Sequence, residues 1–232
     1  MATGHTVKAF DEDLNELRAL VAEMGGLAEV AIDASIGALM NRDLDGAAQV
    51  VEEDRRLDAL EAEVERRVVR IIALRAPTAY DLREVLAALK IAGVIERIGD
   101  YGKNIAKRVP LLQDTRGIEP TSILPAMARA TSDMVHDVLD AYAARDPQAA
   151  AKVCDSDRAV DDFYNSLFRA LLTYMMENPG NISASTHLLF IAKNLERIGD
   201  HATNVAEMVY FAATGDQLGE RTRGRDALAV AD

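Results

Sequence analysis

Acidic residues with a four-residue spacing recur in this sequence, and they are the side chains best suited to chemistry. Glu96 and Asp100 form one pair, and Glu196 and Asp200 form another within the same pentapeptide, Glu-Arg-Ile-Gly-Asp. On a helix, residues four apart lie one turn apart on one face, so two carboxylates could hold a cation between them. The spacing alone is a weak signal, because a chain with 38 acidic residues produces such pairs by chance.

Two further acidic pairs, Asp54/Asp58 and Asp157/Asp161, strengthen this signal through their distance along the chain. If the first pair lies on a helix that turns back at Pro77, equal rise places residue 56 level with residue 98, the midpoint of Glu96 and Asp100. The second copy gives the same result for a turn at residues 178–179. The sequence therefore predicts two converging carboxylate clusters, a first cluster of Asp54, Asp58, Glu96 and Asp100 and a second cluster of Asp157, Asp161, Glu196 and Asp200.

The chemistry of these clusters has two interpretations that the residues leave open. An oxygen-only ligand set suits a hard cation such as Mg²⁺, Mn²⁺, Ca²⁺ or Fe³⁺ and differs from the Cys/His set of structural zinc. Alternatively, neighbouring arginines neutralise the acids in surface ion pairs. Those arginines are Arg55, Arg97, Arg158 and Arg197. Gly99 and Gly199 each cost about 1 kcal/mol of helix propensity, so we expect close helix packing there, with approach of a ligand as the second explanation.

The elements that position these acids follow from an internal repeat. The pentapeptide recurs at a shift of 100 residues, and an upstream segment, Arg42-Asp43 to Asp58, recurs at a shift of 103. One short loop that is longer in the first copy explains the difference. Hydrophobic periodicity and Pro/Gly punctuation predict six helices at about residues 8–40, 45–74, 77–109, 126–144, 147–177 and 183–213.

The predicted fold is all-α, with two tandem antiparallel three-helix bundles related by the repeat. We expect residues 1–112 to form the first unit, 113–125 a linker, 126–214 the second unit and 215–232 a flexible tail. Apolar residues at helical spacing define the buried face, Ile91, Val94, Ile98, Ile105 and Val109 in the first unit and Ile191, Ile198, Val205 and Val209 in the second.

Charge and composition narrow the classes of function. A net charge of −12 and a pI near 4.8 argue against binding to nucleic acid or to anionic membranes. The single cysteine, Cys154, cannot form an internal disulfide and is expected to be a buried small residue in a reducing compartment. Because the sequence shows neither a signal peptide nor an apolar run long enough to span a bilayer, we expect a cytoplasmic protein without membrane insertion.

Catalytic patterns are absent from the sequence, and we therefore expect no enzyme. The four histidines do not supply the two Glu-x-x-His helices of a di-iron bundle. His187 falls on the apolar stripe, while His201 adjoins Asp200 and is a weak candidate for an auxiliary ligand. Nucleophile motifs, phosphate-binding glycine loops and dinucleotide fingerprints are also missing.

The repeated Glu-Arg-Ile-Gly-Asp, the flanking Asn104 and Asn204, the Asp-x-x-x-Asp pairs and the stretch Pro77-Thr78-Ala79-Tyr80-Asp81-Leu82-Arg83 resemble the PhoU family over nearly the whole chain. The resemblance implies a cytoplasmic, often homodimeric bundle protein that holds multinuclear iron or other hard cations, with no organic cofactor. Carried over to this chain, the metal ligands would be the eight carboxylates of the two clusters. Any role of Asp81 and Arg83 would belong to one half only, since the second copy has Asn181-Ile182-Ser183 there.

The same resemblance implies a function in phosphate transport and phosphate homeostasis. It predicts a negative regulator of the phosphate (Pho) regulon that links the ATPase of a Pst-type phosphate ABC transporter to a PhoR-type sensor histidine kinase. Two alternatives remain open at this point. The carboxylate clusters could serve a metal-dependent enzyme, or the chain could be a helical interaction scaffold without metal.

Overall fold

The computed structural model describes residues 3–113 and 122–218, with side chains described from residue 9 onward. These residues form six α-helices, with a 3-10 turn at Val109–Leu112 and another at Pro179–Asn181. The helices are α1 (Thr3–Asn41), α2 (Leu44–Arg75), α3 (Ala79–Ala106), α4 (Leu124–Ala144), α5 (Pro147–Glu177) and α6 (Ile182–Thr214). Helices α1–α3 pack together as the first unit and α4–α6 as the second, which confirms the predicted all-α tandem bundles.

The turn that opens the second helix is built in the same way in both units. Asp43 and Asp146 lie 103 residues apart, and each caps the helix that follows it. The Asp43 carboxylate accepts from the Gly46 amide at 2.9 Å, and that of Asp146 accepts from Gln148 at the same distance. These side chains satisfy backbone donors that the first helical turn leaves without partners. The segment that recurs at a shift of 103 residues therefore contains the start of the second helix in each unit.

Three predicted boundaries near prolines differ from the structure. Pro77 lies in the turn after a left-handed Ala76 (φ 44), and α3 begins two residues later than predicted, at Ala79. Helix α3 also ends early, at Ala106, before the 3-10 turn that contains Pro110. Pro125 lies in the first turn of α4 rather than in the linker, because a proline there loses no helical hydrogen bond.

Two predicted segments lie mostly outside the residues that the structure describes. Residues 114–121 of the expected linker and residues 219–232 of the expected tail lie beyond the described ranges.

Helices α3 and α6 run antiparallel through the middle of the molecule, and the two units meet along them and along α1 and α4. From Tyr101 on α3 to Arg108 just after this helix, the contact on α6 moves backward from His201 to His187. The predicted apolar stripes of both helices are buried, and so is Cys154, as expected. Because Tyr101 contacts His201, the repeated motifs of α3 and α6 lie at the same level along this seam.

A glutamate at the start of α3 joins the two units. The Glu84 carboxylate accepts from Arg18 of α1 at 2.7 Å and from Arg145, which follows α4, at 2.9 Å. The Glu84 side chain is 10% exposed and that of Arg18 is 19% exposed, so this ion pair is largely shielded from water, whereas Arg145 is 44% exposed. This contact fixes the α4–α5 turn against the first unit. Among the described residues, no helix is both long and apolar enough to cross a membrane.

Candidate functional site

The first cluster brings acidic side chains of α2 and α3 together around a lysine. The Lys103 ammonium donates to Asp54 of α2 at 2.5 Å and to Asp100 of α3 at 2.7 Å. One ammonium can contact both carboxylates only if they lie at the same height, as the predicted hairpin register requires. These hydrogen bonds raise the pKa of Lys103 above its usual value, so the group is a cation at neutral pH.

The crowding of negative charge in the first cluster is clearest at Glu96. Burial, followed by the charges of Asp100, Glu61, Asp58 and Asp54, raises the pKa of Glu96 to about 7. Glu96 therefore takes up a proton more readily than an ordinary glutamate. The cluster relieves its repulsion in two ways, by this protonation and by the lysine.

Two members of this arrangement, Lys103 and Glu61, were missed by the sequence interpretation. Lys103 follows Asp100 by three residues and Glu61 follows Asp58 by three, so each lies on the same helix face as a predicted ligand. That spacing was the available signal. Neither residue recurs in the second copy, where Thr203 and Tyr164 occupy the equivalent positions. Repeated motifs alone therefore do not identify either residue.

The second cluster joins α5 and α6 in the same way but with other neighbours. Burial, followed by the charges of Glu196 and Asp200, raises the pKa of Asp161, which shows that carboxylates of both helices lie close together. Lys193 forms an ion pair with Glu196, and its ammonium lies 5.2 Å from the centre of the Tyr164 ring. The lysine of this unit thus precedes Glu196 by three residues, whereas Lys103 follows Asp100 by three.

The arginines predicted as alternative partners of the acids differ in their surroundings. Arg55 pairs with Glu52 at 2.7 Å on an exposed surface. Arg97 and Arg197 are exposed beside the α3–α6 seam, and the Arg197 guanidinium lies 5.9 Å from the centre of the Tyr101 ring. Asp54, Asp100 and Glu196 form their ion pairs with lysines.

The seam between the clusters is an aromatic contact between equivalent positions of the repeat. Tyr101 and His201 stack with ring centres 5.5 Å apart, and the Tyr101 hydroxyl lies 3.3 Å from His201 Nε2. Burial, followed by the positive charge of Arg97, lowers the pKa of His201. His201 thus contacts Tyr101 across the seam. Farther along the seam, His187 accepts a hydrogen bond from Arg108 at 3.1 Å.

The two motif glycines contact the neighbouring helix differently. A Cβ on Gly99 would lie 2.2 Å from Leu57 Cδ2, so α2 packs tightly on α3 at this point, as predicted. A Cβ on Gly199 would lie 3.3 Å from Asp157 Oδ1 and 3.5 Å from Val160 Cγ1. The first glycine is required by close packing, and the second leaves slightly more room beside a cluster carboxylate.

The arrangement of side chains does not form a ready-made metal site. Within residues 3–113 and 122–218, no group of three or more His, Cys, Asp or Glu side chains is placed to hold a metal ion. In the first cluster, the positive charge between α2 and α3 comes from Lys103. The eight carboxylates as metal ligands therefore stay a prediction.

Comparison with known proteins identifies the family. The family model described as PhoU domain matches residues 21–109 and again residues 124–209. The chain belongs to the PhoU family. Each match contains one complete carboxylate cluster, so the repeat found in the sequence is the repeated PhoU domain.

Curated relatives carry the same family name over nearly their full length. A "Phosphate-specific transport system accessory protein PhoU homolog" of Zymomonas mobilis is 63% identical over 97% of this chain and 95% of that protein. A protein of the same description from Caulobacter vibrioides is 48% identical over 98% of this chain and 99% of that protein.

Solved PhoU structures share the fold. The crystal structure of PhoU from Pseudomonas aeruginosa matches with a TM-score of 0.85 and 35% identity, covering 89% of this chain and all of that one. The phosphate transport system regulatory protein PhoU from Streptococcus pneumoniae matches with a TM-score of 0.85 at 26% identity, covering 91% of this chain and 100% of that one. The resemblance drawn from the repeated pentapeptide is thereby confirmed.

Proposed function

We propose that this chain is a cytoplasmic regulator of phosphate uptake and a negative regulator of the phosphate-starvation regulon. The observation that carries the proposal is family membership over both repeats, with relatives named as accessory proteins of the phosphate-specific transport system. An accessory role agrees with a helical protein in which no catalytic constellation was found by sequence analysis. The chain would act by binding other proteins and would catalyse no reaction itself.

The partners proposed are the ATPase of the phosphate ABC transporter and a PhoR-type sensor histidine kinase, with the chain acting as a homodimer. The face formed by α2, α3, α6 and α5 supports this, because it carries two acidic clusters with Arg97 and Arg197 exposed between them. Alternating charge of this kind favours specific and oriented association. The net charge of −12 further favours basic patches on the partners.

Deletion of the gene in its native host tests the regulatory role. We expect phosphate-starvation genes to be expressed in phosphate-replete medium after deletion, with repression restored by the wild-type chain. Unchanged expression would contradict the proposal. Affinity capture of the tagged chain from native lysate, followed by mass spectrometry, should recover the transporter ATPase or the sensor kinase, and recovery of neither would contradict the proposed contacts.

A second proposal concerns the clusters themselves, which would bind a hard cation such as Mn²⁺, Mg²⁺ or iron. The observation in favour is that carboxylates of two helices meet in each unit, Asp54 with Asp100 in the first and Asp161 with Glu196 and Asp200 in the second. Equilibrium binding of Mn²⁺ to chelator-treated protein tests it. Binding that disappears when cluster carboxylates are changed to amides would support a metal role, and no uptake above background would leave the metal-free scaffold. Hydrolysis of a phosphoester by the loaded protein would favour the metal-dependent enzyme instead.

A further inference from the structure

The two clusters differ in the source of the positive charge between their helices. In the first unit, Lys103 donates to Asp54 of α2 and to Asp100 of α3. We propose that the Lys103 ammonium takes the place of a metal ion in the first cluster, so that a hard cation is excluded from this cluster. This inference rests on the metal part of the proposed function.

Burial shows that Lys103 is a structural part of the first cluster. The Asp54 side chain is 7% exposed and that of Lys103 is 22% exposed. A carboxylate removed from water to this degree requires a partner of opposite charge and hydrogen bonds to its oxygens. Lys103 supplies both and connects the two helices, as a bridging metal ion would.

The second cluster has no lysine at the equivalent position. Thr203 stands where the first unit has Lys103, and its hydroxyl donates to the Asp200 carbonyl at 2.7 Å. Lys193, on the preceding turn of α6, pairs with Glu196 of its own helix and has a side chain that is 42% exposed. It is therefore more exposed than Lys103 and forms its ion pair within one helix, although its ammonium also lies over Tyr164 of α5.

Electrostatics makes lysine and metal mutually exclusive in the first cluster. A divalent ion bound by Asp54 and Asp100 would lie within a few ångströms of the ammonium, where repulsion in a partly buried site is strong. Removal of the ammonium should therefore expose the same carboxylate pair to an added cation.

Thermal unfolding of Lys103→Met with and without Mn²⁺ tests the proposal. All proteins in the test carry Glu196→Gln and Asp200→Asn, so that the second cluster cannot contribute. In chelator, the Lys103→Met variant should unfold about 5 °C below its parent. Saturating Mn²⁺ should restore at least half of this loss and should leave the unfolding midpoint of the parent unchanged.

A third protein keeps the test decisive if Lys103→Met folds poorly. Adding Asp54→Asn to Lys103→Met removes the buried charge, so the unfolding midpoint should recover without any metal and become insensitive to Mn²⁺. The proposal is overturned if Mn²⁺ stabilises the parent as much as Lys103→Met, if Lys103→Met loses no stability, or if Asp54→Asn restores nothing. None of these results depends on the deletion phenotype, so the regulatory proposal succeeds or fails separately.

Discussion

The two units share a backbone and a motif, but they neutralise their acids differently. In the first, Lys103 bridges two helices and Glu61 adds a further carboxylate. In the second, Lys193 pairs with one residue of its own helix and lies over Tyr164. The comparison teaches that the repeated residues determine where the carboxylates lie, while unrepeated neighbours determine the charge that surrounds them.

The largest expected effect concerns a contact that only the first unit has. Glu84 pairs with Arg18 and Arg145, whereas its counterpart in the second unit is the buried Ala184. Replacing Glu84 by Ala leaves two arginines without their partner, so we expect a loss of about 2 kcal/mol in the free energy of unfolding, measured by urea denaturation.

A matched control for this change is Glu63→Ala. Glu63 also pairs with two arginines, Arg66 and Arg67, but its side chain is 35% exposed. We expect a smaller loss there, because water replaces the missing partner. Equal losses of unfolding free energy in the two variants would contradict a stabilising contact between the units at Glu84.

The motif glycines provide the next test. In Gly99→Ala, the new methyl group collides with the buried Leu57, while in Gly199→Ala it meets the Asp157 carboxylate at 3.3 Å, a tight contact that a small shift relieves. Both variants gain about 1 kcal/mol of helix propensity. We therefore expect Gly99→Ala to be less stable than Gly199→Ala by about 1–2 kcal/mol in urea denaturation. Equal stability of the two variants would contradict the tighter packing of α2 on α3.

The pH dependence of stability tests the charge at Glu96. Its pKa is about 7 in the folded chain against 4.5 as the ordinary value, so the folded state holds the proton more tightly. Stability from this group is present below pH 4.5 and is lost as pH rises toward 7.

Glu96→Gln removes this dependence. After allowance for solvent screening, the variant should be more stable than the wild type by about 1 kcal/mol at pH 8 and no more stable at pH 4. Chemical denaturation at several pH values measures the difference. A constant difference across this range would contradict the assigned charge crowding.

The smallest expected effect belongs to Lys193. Replacing this half-exposed lysine by Met removes one ion pair within a single helix, whose ammonium is partly screened by water although the Glu196 side chain is 17% exposed. We expect a loss of at most about 0.5 kcal/mol in the free energy of unfolding. A loss as large as that of Lys103→Met would remove the contrast between the two clusters.

The sequence was sufficient to predict the fold and the approximate height of the carboxylates. Helical periodicity identifies the six helices, and the start and end of α5 agree with the prediction because Asp146 and Asn178 cap or end that helix. The turn at Pro77 was harder, because a left-handed Ala76 shifts the start of α3 by two residues. Such a conformation is uncommon for alanine and has no clear sequence signal.

The charge partners of the clusters could be predicted only in part. Lys103 and Glu61 stand at helical spacing from the predicted acids, so their face was predictable. Which cation would contact which acid was not, because arginines adjoin every motif and side-chain direction decides the pairing. The Tyr101–His201 contact depends on the packing of α3 against α6, which no local pattern reveals.

Complementation of the deletion strain tests the central claim most directly, namely that this chain represses phosphate-starvation genes through the face bearing the two clusters. The measurement compares the wild type with a chain carrying Glu96→Gln, Asp100→Asn, Glu196→Gln and Asp200→Asn, at equal protein levels in phosphate-replete medium. The account predicts repression by the wild type and expression near the deletion level with the variant. Full repression by an equally abundant variant would contradict it.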